Sequence, residues 1–249
     1  MAKQIFHADD DTDYSAEKND AEVISELVAM GISIDDEKPV DEKTLSRKGS
    51  DWCRKTYNNY KACHNLGSIT NFHGKDLEIV DKDKYTYFLF YSFCCQDLSV
   101  AGKQKGMKKG SGTRSGLLWE VERLLTECKQ YNGNLPDILC LENVTQLHSK
   151  VNMPDFIEWK NFLATLGYKS YYADCNTKDY GIPQNRDRCF MVSLLGDYEY
   201  KFPKEIPLEY CMADILESEV DDKYFVNNEK ADKLIEQLIM EKKLPDLHE

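Results

Sequence analysis

The stretch 85–117, YTYFLFYSFCCQDLSVAGKQKGMKKGSGTRSGL, does most to limit what this chain can become. Residues 85–93 form an unbroken aromatic and apolar run of strand length, the pattern expected of a strand covered on both faces. The run stops at Cys94-Cys95-Gln96. A loop rich in Gly, Lys and Ser follows, and helical spacing resumes over 116–128. Strand, loop and helix in that order make a βα unit, and open α/β sheets take their ligands at the carboxyl ends of strands, where the thiol of Cys95 falls. Lys103, Lys105, Lys108, Lys109 and Arg114 have no acid among them, so the loop reads as a mobile basic flap suited to a polyanion.

The rest of the chain repeats the alternation. Apolar periodicity predicts a helix over 117–129, a strand over 138–141 ending at Glu142, a helix over 156–166, and strands over 168–173 and 189–195. Helices between strands imply an α/β sheet, with the last two strands as an antiparallel hairpin at its edge. Residues 1–21 are acidic and without periodicity, the mark of a loosely attached tail. A short amphipathic helix over 21–32, a charged linker over 35–50, a helix over 55–64 and a final amphipathic helix over 228–243 complete the outline. The chain therefore divides into an acidic extension (1–48), a core (49–203) and an acidic C-terminal segment (204–249).

A net charge of -12 speaks against a nucleic-acid partner only while it is taken as a total. Residues 1–48 carry 13 acids against 6 Lys and Arg, and 204–249 carry the same, leaving 18 acids and 20 bases between them. The middle is slightly basic, and local field outweighs the sum. Nine cysteines without a C-x-x-C pair argue against a zinc ribbon or a disulfide framework, and no metal is expected. No membrane-length apolar run or secretory leader is present, so a cytoplasmic protein is expected.

Three segments carry a family resemblance. Ser92-Phe93-Cys94-Cys95-Gln96-Asp97-Leu98-Ser99 with Gly112-Thr113-Arg114-Ser115-Gly116-Leu117 resembles the nucleophile segment of the DNA cytosine-5 methyltransferases, prokaryotic or phage type. Leu141-Glu142-Asn143-Val144 resembles their Glu-Asn-Val motif. Gly181-Ile182-Pro183-Gln184-Asn185-Arg186-Asp187-Arg188 resembles their Gln-x-Arg-x-Arg motif. The order and spacing agree over about 49–203.

The resemblance implies a Rossmann-like sheet flanked by helices and methyl transfer from S-adenosylmethionine to C5 of a cytosine flipped out of double-stranded DNA, the chemistry of restriction-modification. Cys95 would add to C6, because C5 is too poor a nucleophile until a thiolate makes it enamine-like. Glu142 would bind N3 and the exocyclic amine, Arg188 the cytosine and its phosphate, and Arg186 would brace the nucleophile loop. Gln96, Ser99, Arg114 and Gln184 would contact DNA. Asp51 and Trp52 would hold the ribose and adenine of the cofactor, Ser68 would stand where the family has an adenine-binding Asp, and Phe93 would line the same pocket.

The sequence also departs from the family. Cys94 replaces the usual proline before the nucleophile, which removes a φ restraint. No Phe-x-Gly-x-Gly turn for the methionine moiety precedes Asp51, and most of the target-recognition region is absent, so the core is expected to be truncated at both ends. The alternatives are a degenerate or split homologue, which would bind DNA or require a complementing polypeptide, and a cysteine-dependent hydrolase using His64 or His148.

Overall fold

A computed structural model describes residues 12–34, 38–95, 98, 106–110, 114–226 and 228–241. Four strands, β1 (Phe88–Tyr91), β2 (Ile138–Asn143), β3 (Tyr168–Asn176) and β4 (Asp187–Leu195), form one sheet in the order β1-β2-β4-β3. β1 and β2 are parallel; β4 runs antiparallel to both β2 and β3. The expected βα unit and edge hairpin are both present.

Helices α4 (Leu118–Asn132) and α5 (Met153–Thr165) cover one face of the sheet. Their Leu118, Leu125, Phe156, Trp159 and Leu163 pack with Leu139 and Leu141 of β2 and Met191 of β4, all buried. Trp119 meets Trp159 edge-on, with ring centroids 6.2 Å apart. Strand alternation turns Ile138, Cys140 and Glu142 to the opposite face.

β1 is not covered on both faces as its composition predicts. Phe88 and Phe90 are 56% and 70% exposed and stack on each other, and among the described residues no strand pairs with the outer edge of β1. Aromatic residues favour strands whether or not anything covers them, so the run of rings specified the strand but not its burial.

A second, all-helical core lies N-terminal to the sheet. Helices α1 (Asp20–Ala29), α2 (Glu42–Lys48) and α3 (Ser50–Ala62) bury Val23, Leu27, Leu45 and Tyr57 against one another. α2 replaces the expected linker: Asp41 caps it by accepting from the Thr44 N–H at 2.7 Å, and Leu45 is fully buried. The described part of the acidic tail is not loose either. Arg54 of α3 donates to the carbonyls of Ser15 and Lys18, each at 2.8 Å, and pairs with Asp20 at 2.7 Å.

A 3₁₀ turn at Gly74–Leu77 packs on α4 so closely that a Cβ on Gly74 would lie 2.5 Å from the Cys128 nitrogen. The residues up to 176 together with 187–204 form one compact unit; 177–186 and the residues from 205 onward form a second. In the second unit Tyr180 bridges Ile206, and α6 (Met212–Ile215) and α7 (Glu229–Met240) follow. Leu234, Ile235 and Met240 of α7 are exposed.

Candidate active site

β2 delivers Glu142 to its carboxyl end, where the family resemblance expects an acid. Glu142 pairs in register with Phe190, so Arg188, two residues along β4, lies diagonally across on the same face. Its Nε stands 2.8 Å from Glu142 Oε1, and both side chains keep partial exposure, 23% and 36%. The other carboxylate oxygen, Oε2, accepts from Ser92 Oγ at 3.2 Å. Ser92 lies three residues before Cys95, so the acid is tied at once to the arginine strand and to the cysteine loop.

The loop is held by its own carbonyls. Asn143, buried at the end of β2, donates Nδ2 to the Phe93 carbonyl at 3.0 Å; Ser115, also buried, donates Oγ to that of Cys94 at 2.6 Å; the Leu98 N–H donates to that of Cys95 at 3.0 Å. Three successive carbonyls are thus fixed where the family has a proline to restrict φ. Sequence reasoning missed Ser92, Asn143 and Ser115 as supports, although all three stood inside the quoted motifs.

Cys95 is half-buried. By contrast, burial pushes the thiol of Cys128 up to about 11 and raises those of Cys53 and Cys140, which suits inert core thiols, while burial together with the neighbouring Asp174 pushes that of Cys189 up to about 12. His64 is exposed beyond α3, and His148, the other histidine of the hydrolase alternative, pairs with Asp174 at 2.8 Å beside Cys189.

Gln184 and Arg186 belong to the second unit, in the turn where the Arg186 carbonyl accepts from the Thr177 N–H and that of Gln184 from the Thr177 hydroxyl. Gln96, Ser99, Lys103 and Lys105 lie outside the described residues, as does the side chain of Arg114. The described part of the basic flap is pinned rather than mobile: Met107 is buried, its carbonyl accepts from Trp119 Nε1 at 2.7 Å, and Lys109 is neutralised by Glu122.

Asp51 and Trp52 sit on the first turn of α3, not in a loop after a strand; Gly49, at φ +89°, ends α2, and an acid suits the helix start that follows. Trp52 packs on the helical core under Lys48, whereas Phe93 is buried in the core beneath the sheet. Ser68 bonds to Thr70 and, through its N–H, to the Met30 carbonyl. Trp52 thus packs with the helical core and Phe93 with the sheet core, and no step is assigned to them.

Comparisons with known proteins bear on this geometry. The family model described as C-5 cytosine-specific DNA methylase matches residues 32–247. The chain is 38% identical over 203 residues to Type II methyltransferase M2.ScrFI of Lactococcus lactis subsp. cremoris, covering 79% of this chain and 53% of that protein. It is 37% identical over 210 residues to orphan methyltransferase M.SssI of Spiroplasma monobiae, covering 83% and 52%. The chain thus spans about half the length of the curated relatives it matches. The fold resembles that of the methyltransferase EhMeth of Entamoeba histolytica, with TM-score 0.52 and 20% identity over 76% of this chain and 54% of that one. With the family model spanning most of its residues, this chain belongs to the C-5 cytosine-specific DNA methylases.

Proposed function

We propose that this chain carries the cytosine-reacting part of a DNA cytosine-5 methyltransferase, with Cys95 as nucleophile. The observation that supports it best is Glu142 held on one oxygen by Arg188 and on the other by Ser92, beside the loop that bears Cys95. The substrate is a cytosine swung out of duplex DNA, since C6 is out of reach inside the stack. The Cys95 sulfur bonds to C6, the π electrons of C5=C6 move onto C5, and a proton shared between Glu142 and N3 offsets the charge that develops on the ring. Arg188 fixes the carboxyl group for that contact. Family membership implies S-adenosylmethionine as methyl donor. After transfer, loss of the C5 proton and return of the electrons to C6 expel the thiolate.

DNA bearing 5-fluorocytosine tests this, because fluorine cannot leave as a proton does. A mixed-sequence duplex with every cytosine fluorinated is expected to form, with S-adenosylmethionine, an adduct stable on a denaturing gel, and Cys95→Ser is expected to abolish it. An adduct that persists in Cys95→Ser rules the assignment out.

Among the described residues no strand pairs with the outer edge of β1, which favours a refinement: a further strand, carried by a complementing polypeptide, pairs there. Among the described residues no helix is long and apolar enough to cross a membrane, and the proposed site of action is cytoplasmic DNA.

A further inference from the structure

Three side chains converge on the face of the β3–β4 hairpin opposite Glu142 and Arg188. His148 closes the 3₁₀ turn Thr145–His148, and its Nε2 lies 2.8 Å from Oδ1 of Asp174 on β3. Asp174 stands directly opposite Cys189 of β4. An imidazole nitrogen, a carboxylate oxygen and the Cys189 sulfur all lie within 4.8 Å of one another. The imidazole is steadied by aromatic neighbours, with Tyr172 at 5.6 Å and Phe156 at 6.2 Å between ring centroids. Cys189 is fully buried, while the side chains of His148 and Asp174 are 24% and 42% exposed, so the cluster is closed below and open above.

That donor set has a chemical preference. Mg²⁺ and Ca²⁺ take oxygen ligands and have no use for sulfur; one nitrogen, one oxygen and one sulfur suit a borderline ion that accepts four tetrahedral ligands. We propose that His148, Asp174 and Cys189 bind one Zn²⁺, with water in the fourth position. On binding, the Cys189 thiol gives its proton to solvent and the sulfur bonds to the metal, while the contact between Asp174 and His148 is replaced by one bond from each to the ion. The role is structural. The turn bearing His148 follows Glu142-Asn143-Val144 directly, and β4 carries Arg188 next to Cys189, so the ion staples the two segments that bring acid and arginine together. Without metal, the three groups remain a hydrogen-bonded chain.

Co²⁺ replaces Zn²⁺ in such sites and reports its ligands by colour. Full-length protein freed of metal by a chelator is expected to take up one equivalent of Co²⁺, with tetrahedral visible bands and a sulfur-to-cobalt charge-transfer band, both removed by adding Zn²⁺. Cys189→Ser is expected to lose the charge-transfer band, and Cys211→Ser, at an exposed thiol, to keep it. Asp174→Asn, a nearly isosteric change at the rim that leaves the fold intact, is expected to weaken Co²⁺ binding more than about 10-fold. No stoichiometric uptake by the unaltered protein overturns the proposal, as does a band that survives in Cys189→Ser or undiminished affinity in Asp174→Asn. None of these readouts depends on methyl transfer.

Discussion

Glu142 and Arg188 meet diagonally across β2 and β4, Nε to Oε1 at 2.8 Å, with Ser92 on the remaining carboxylate oxygen. On the proposed function, the arrangement orients the carboxyl group before any base arrives, the preorganisation on which electrostatic catalysis depends. Glu142→Gln is expected to slow formation of the fluorocytosine adduct by about 100-fold or more, in line with the loss of a general acid. Arg188→Ala should approach the same loss, and the double variant should be little worse than either single one, because the two act as a unit. Single-turnover trapping rates measure all three.

Ser115 holds the Cys94 carbonyl from a fully buried position. Ser115→Ala leaves that carbonyl without its hydroxyl donor and is expected to cost about 1–3 kcal/mol in chemical denaturation. It should also slow trapping at Cys95 without altering which residue is trapped, a result that peptide mapping of the adduct would establish.

Asp137 links the start of β2 to the segment before β1: Oδ1 pairs with Lys82 at 2.6 Å, and Oδ2 accepts from the Tyr87 N–H at 2.8 Å. Burial alone would raise its pKa, but the Lys82 ammonium and the Tyr87 N–H outweigh it and hold the carboxyl group below its usual range. A carboxylate with a depressed folded pKa stabilises the fold above its unfolded value and loses that contribution as pH falls through the folded value. Asp137→Asn should therefore destabilise near neutrality by about 1 kcal/mol and differ little from the parent in strong acid. Urea midpoints across pH 2 to about 7 would reveal the convergence.

Gly74 touches α4 with no room for a methyl group; the Leu124 carbonyl would lie 2.7 Å from its Cβ. Both near neighbours are helix backbone, which cannot yield as a side-chain tip would. Gly74→Ala is expected to cost about 1–3 kcal/mol by forcing the 3₁₀ turn off the helix. The midpoint of thermal or urea unfolding checks it.

Much of the sheet was legible because β2, β4, α4 and α5 carry apolar runs or periods and the tyrosines of β3 favour a strand. α2 escaped notice because EKTLSRK buries one leucine, too little for periodicity to register. The exposure of Phe88 and Phe90 was hidden by residues that suit a strand whatever covers them. At the candidate site, Cys95, Glu142 and Arg188 were singled out through motif order, whereas the Ser92 link depends on how a loop folds back over β2. The cluster of His148, Asp174 and Cys189 depends on β3–β4 register, which no local pattern in either strand declares. Asp51 and Trp52 matched by type and yet became the first turn of a helix.

The three N-terminal helices and the sheet each bury an apolar cluster of their own. Heat need not melt them together. Calorimetry would then record a total enthalpy larger than the sharpness of the transition implies, the signature of parts that yield one after another. An apparent midpoint followed by tyrosine signals from the helical part would describe that part alone, and the chemistry at Cys95 would end at a temperature of its own.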